Sequence, residues 1–67
     1  MKFKVIFFRQ VGDRDGISET KPFLSEDETS ALNHFEELDL PSGTIIKMLY
    51  VFNEESDIWF LVMNKAA

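Results

Sequence analysis

The sequence contains no cysteine, one histidine, two prolines and three glycines. Without cysteine there is no disulfide, no thiolate metal site and no cysteine nucleophile. Small secreted domains usually lean on disulfides, so their absence points to a reducing compartment, most simply a cytoplasm. The glycines stand apart at 12, 16 and 43, which excludes a glycine-rich phosphate loop. The His and Cys ligands of a zinc site are missing. No apolar run approaches the roughly 18–20 residues of a membrane span. The apolar stretch after Met1 is short and ends at Arg9, with no small-residue cleavage site behind it, so no signal peptide is expected. Positive charge is scarce as well. Seven Lys and Arg face 12 Asp and Glu, for a net charge of -5. That balance argues against direct binding of nucleic acid through a basic surface.

What is present is apolar. Seven Phe, one Trp and one Tyr, with many Ile, Leu and Val, are too much for a solvated, disordered chain. Sixty-seven residues make a single domain, 1–67. Such a domain buries a limited core, and oligomerisation or a bound partner would stabilise it.

Period-two alternation marks Lys2 to Gln10 as a strand, with Phe3, Val5 and Phe7 on one face and Ile6 and Phe8 on the other. Val11 to Gly16 carries turn chemistry. Asp13-Arg14-Asp15-Gly16 has the opening of a calcium loop, but Leu24 stands where the closing acid would be, so the segment reads as a turn. Ile17 to Leu24 is a weaker strand. Pro22 cannot donate to a ladder, which places this strand at an edge. Ser25-Glu26-Asp27-Glu28 has the pattern of a capping box. Ala31, Leu32, Phe35 and Leu38 then share one helical face, and Leu40-Pro41-Ser42-Gly43 ends the helix. Thr44 to Phe52 and Asp57 to Met63 read as a hairpin. If Asn53 faces Ser56, Tyr50 opposes Trp59 and Leu49 opposes Phe60. The order β-β-α-β-β predicts a two-layer α+β fold, an antiparallel sheet with one amphipathic helix packed on one face.

One helix covers one face of a small sheet, yet both faces of the hairpin are apolar. One carries Ile46, Met48, Tyr50, Phe52, Trp59, Leu61 and Met63. The other carries Ile45, Leu49, Val51, Ile58, Phe60 and Val62, interrupted by Lys47. Antiparallel sheets usually alternate apolar inside with polar outside. Burying one such side chain stabilises by roughly 1.5–3 kcal/mol. Leaving half a dozen in water forgoes on the order of 10 kcal/mol, comparable to a small domain's whole stability. The second face is therefore expected to be covered by a second copy, by a partner protein, or by the chain's own arm around residues 11–24. Ile45, Leu49, Val51, Ile58 and Phe60 are the apolar candidates for contact.

Between Lys21 and Lys47 there is no basic residue, and Glu36, Glu37 and Asp39 close this acidic stretch. These three are candidate contacts for a basic protein, since opposite potentials speed and orient encounter. A solvated helix face explains the same charges. His34 lies off the apolar stripe and reads as a surface or boundary residue. No serine sits in a nucleophile motif, and Glu36 and Glu37 point to different sides of a helix. No enzyme, cofactor or metal is expected. In size and element order the layout resembles that of small phage or prophage accessory proteins, with no residue motif behind the likeness. The expected role is a small cytoplasmic, non-catalytic interaction protein, plausible as an inhibitor or modulator of another protein. The alternatives are a structural homodimer or complex subunit, with a symmetric contact, and an acidic mimic that blocks a nucleic-acid-binding protein. Neither membrane nor nucleic acid is expected as a direct partner.

Overall fold

The structure is a computed structural model and describes residues 1–10, 12 and 16–66. Strands β1 (Lys2–Arg9) and β2 (Ile17–Leu24) precede helix α1 (Glu28–Glu37), and strands β3 (Thr44–Asn53) and β4 (Ile58–Ala66) follow it. The four strands form one antiparallel sheet in the order β2-β1-β3-β4. The two-layer α+β architecture and its element order match the sequence expectation. β2 is an edge strand, as Pro22 requires, with Pro22 opposite Lys4. Most of the turn expected over 11–16, including Asp13, Arg14 and Asp15, lies outside the described residues.

Alternation along β1 decides the core. Phe3, Val5 and Phe7 are fully buried, together with Leu49 of β3 and Ala31 and Phe35 of α1. Phe23, Leu32, Leu38, Leu40, Val51 and Val62 pack around them. The stripe Ala31, Leu32, Phe35, Leu38 thus meets the sheet as its spacing predicts. Phe3 stacks on Phe23 at 5.5 Å, and the exposed His34 ring lies 4.4 Å from Phe23, at the boundary of the core.

Helix α1 begins two residues later than a cap at Ser25 would place it. The N-cap is Asp27, whose carboxylate accepts from the Ser30 N–H at 2.8 Å. Ser25 is held elsewhere. Its N–H donates to the Met1 carbonyl, and the Met1 ammonium donates to the Ser25 carbonyl. Those two bonds extend the β1–β2 ladder, and a residue in extended pairing with the N-terminus does not open the helix. The chain re-enters the sheet at Gly43, which has φ 88° and whose carbonyl accepts from Gln10 N–H. A Cβ there would fall 2.6 Å from the Gln10 carbonyl oxygen, so only glycine fits.

The hairpin register also differs from the expected one. Asn53 opposes Ile58, not Ser56, so Phe52 opposes Trp59, Tyr50 opposes Leu61 and Val51 opposes Phe60. The turn holds four residues because Asn53 closes it twice. Its side chain accepts from Ser56 N–H at 3.1 Å, and its carbonyl accepts from Asp57 N–H at 2.8 Å. Asp57 takes φ 59°, a left-handed conformation that Asp tolerates better than most residues. A bulge then shifts the register between Leu49 and Tyr50, leaving Val62 without a partner across the ladder and bringing Met63 opposite Leu49. Beyond it every β4 side chain changes face. Lys65 is thereby turned to the helix side, where it donates to Glu36 at 2.8 Å.

Candidate functional site

The reverse face of the sheet has no covering layer among the described residues. Antiparallel partners share a face, so the ladders define it. Lys4 stands with Pro22 and Tyr50, Ile6 with Thr20 and Met48, Phe8 with Ser18 and Ile46, and Phe52 with Trp59. The described arm residues 17–24 lie within the sheet as β2 and do not cross this face. Helix α1 and its flanking leucines pack on the opposite side. Ile6, Phe8, Ile46, Met48, Tyr50, Phe52 and Trp59 are each partly exposed, and Leu61 is 50% exposed. Side-by-side packing within the sheet shields part of each residue, and the outer surface stays in water. Exposed contiguous apolar rows of this kind mark interaction surfaces more often than scattered single apolar residues do.

Among the described residues its charge has one sign. The reverse-face strand positions hold Lys2 and Lys4 and no carboxylate. The Lys2 ammonium lies 4.7 Å from the centre of the Phe52 ring, and the Lys4 ammonium lies 4.3 Å from that of Trp59 and 5.6 Å from that of Tyr50. Phe52 and Trp59 meet at 5.1 Å with their planes at 57°. Aromatic rings capped by ammonium groups make a surface that is both greasy and cationic. At the end of β1 and β2, Lys2, Phe3, Pro22, Phe23, Leu24 and Trp59 line an apolar hollow of about 260 Å³.

The apolar candidates divide between core and surface. Leu49 is fully buried beneath the helix, and Val51 packs against the core. Both belong to the sealed face. Ile58 and Phe60 share the helix side of the sheet and are 49% and 46% exposed, while Ile45, which the β1–β3 register skips between Phe8 and Arg9, is 52% exposed. Lys47 is the residue that sequence reasoning missed. It looks like an outward-pointing interruption, yet it is only 6% exposed. Its ammonium donates to the Phe35 carbonyl at 2.6 Å and lies 4.3 Å from the centre of the Phe35 ring. A cation at the C-terminal turn of a helix meets the negative end of its dipole. The apolar stem fills the core on the way.

The acidic candidates are exposed, and Glu36 already has an internal partner. The hydrogen bond from Lys65 holds the Glu36 carboxyl below its ordinary value; slight desolvation opposes this, and the charges of Lys65 and Lys47 assist it. Asp27 is lowered likewise, first by the Ser30 backbone N–H and then by its side chain. Glu19 stands 3.4 Å from Arg9. Glu37 and Asp39 point to solvent. Among the described residues, no group of three or more His, Asp or Glu side chains converges to hold a metal ion. No described helix is long and apolar enough to cross a membrane. Comparison with protein-family models, curated proteins and solved structures gives no match.

Proposed function

We propose that the chain is a small non-catalytic interaction module of a reducing compartment, and that it docks another protein on the reverse face of its sheet. The observation that carries this reading is a four-stranded sheet covered by a helix on one face only. Its other face combines Ile6, Phe8, Met48, Tyr50 and Trp59 with the lone positive charges of Lys2 and Lys4. A fitting partner presents an apolar strip flanked by carboxylates. The strip would cover the rings, the carboxylates would meet the two ammonium groups, and one side chain would anchor in the hollow beside Trp59. An inhibitor or modulator works in this way, by occupying a surface and performing no chemistry.

The acidic helix offers a second surface, suited to a basic partner. It is weaker support, because Glu36 serves Lys65 and Asp27 serves the helix cap.

Capture from an extract of the source organism, with paired variants, separates the two. Lys4→Glu and Met48→Glu change the reverse face, while Glu37→Lys and Asp39→Lys change the helix layer. Circular dichroism verifies that each variant folds. A partner lost with the first pair and kept with the second fits the proposal. The opposite pattern would assign docking to the acidic helix.

A further inference from the structure

The two edges of the sheet are built differently. β2, ISETKPFL, is guarded in the way natural edges are, with Pro22 in the ladder and Glu19 and Lys21 along its length. β4, IWFLVMNKA, runs six apolar residues from Ile58 to Met63 with no charge and no proline. No described strand pairs with its outer side. Ile58, Phe60, Leu61 and Met63 are 40–50% exposed, on both faces of the sheet. Its guarding devices are the bulge at Val62 and Lys65 near its end. An edge of this composition invites another strand.

We infer that the occupant is β4 of a second copy of this chain, paired antiparallel about a two-fold axis through Phe60 to make one continuous eight-stranded sheet. Two features of β4 select a second copy. First, the strand is self-complementary about Phe60. Ile58 then faces the other copy's Val62, both on the helix side, and Trp59 faces the other copy's Leu61, both on the reverse side. Second, the charges complement each other only in the antiparallel sense. The acidic turn, Glu54, Glu55 and Asp57, lies at one end of β4 and Lys65 at the other. Antiparallel pairing about Phe60 brings the acidic turn of each copy to the Lys65 end of the other, and Lys65 remains half exposed while bonded to Glu36. A two-fold axis perpendicular to the sheet keeps the faces aligned, so the two reverse faces join into one surface. This inference draws on the sheet edge and stands apart from docking on the reverse face.

Sedimentation of the full chain from nanomolar to high-micromolar concentration tests it. The wild-type chain forms a dimer. Phe60→Lys places like charges across the axis and leaves a folded monomer at every concentration. Leu24→Lys, on the other edge, leaves the dimer intact. Amide hydrogen exchange covers the case in which Phe60→Lys fails to fold. Protection of the amides of Ile58 to Val62 rises with protein concentration, and that of β2 does not. A wild-type monomer throughout, a dimer that survives Phe60→Lys, or protection that ignores concentration would overturn the inference. Phe60→Lys keeps partner capture, whereas Met48→Glu keeps the dimer and loses capture, so the two proposals fail separately.

Discussion

Leu49 and Met48 are neighbours in β3 with side chains on opposite faces of one sheet. Leu49 is fully buried under α1, and Met48 lies in the open row with Ile6 and Tyr50. The two faces are almost equally apolar in sequence, so hydrophobicity does not separate them. Coverage does. A ten-residue helix with one apolar stripe seals the side that carries Phe3, Val5 and Phe7 and leaves the other open. One face therefore serves stability, and the other is the face proposed to receive a partner.

The sharpest way to break this contrast is to truncate the two neighbours separately. Leu49→Ala empties a sealed position and costs about 2–5 kcal/mol. Met48→Ala removes atoms that already touch water and costs about 1 kcal/mol or less. Urea denaturation of the two variants measures both. Equal losses would mean that the reverse face is packed as well.

The lysines provide a finer version of the same contrast. Lys47 and Lys4 each hold an ammonium 4.3 Å from an aromatic ring centre, Lys47 on the sealed face and Lys4 on the open one. Lys47 adds a buried hydrogen bond to the Phe35 carbonyl. Lys47→Ala should destabilise by about 2 kcal/mol, through the lost bond and the lost stem. Lys4→Ala should cost less than about 1 kcal/mol, because its half-buried cation–ring contacts carry no added hydrogen bond like that of Lys47. Thermal melts that rank the two in the reverse order would contradict the assignment of faces.

Acid gives the smallest effect. Asp27 and Glu36 are both held below their ordinary values, so the unfolded chain binds protons there before the folded chain does. Their contribution is complete above the ordinary carboxylate range, near pH 5 and higher, and is lost as the pH falls below about 4 through the folded-state values. Both groups are exposed, so the loss is modest. Asp27→Ala should flatten part of the stability profile below about pH 4, and Asp27→Ser, which restores a cap, should recover stability at neutral pH but not the acid dependence.

The strands, the edge position of β2 and the helix stripe were legible because alternation, Pro22 and the spacing Ala31–Phe35–Leu38 each have a single structural reading. The remaining features depended on contacts distant in sequence or on closely matched alternatives. The hairpin register turned on whether Asn53 closes a two-residue or a four-residue loop, and its own side chain decides that in favour of four. The helix start turned on Ser25, which the N-terminal residue holds in extended pairing. The inward face was hidden by Lys47. A lysine on a strand normally signals solvent, and here it reaches the end of a helix that the strand pattern does not reveal. Leu49 and Val51, apolar candidates for contact, lie on that inward face, which alternation alone does not distinguish from the other.

The only tryptophan, Trp59, lies on the reverse face with the Lys4 ammonium over its ring. Fluorescence quenching of the dilute wild-type chain therefore tests the openness of that face most directly. An open face gives strong quenching by iodide, which the lysines attract, and weak quenching by caesium. Native emission that neither ion can reach would show that the reverse face is sealed and would contradict its openness.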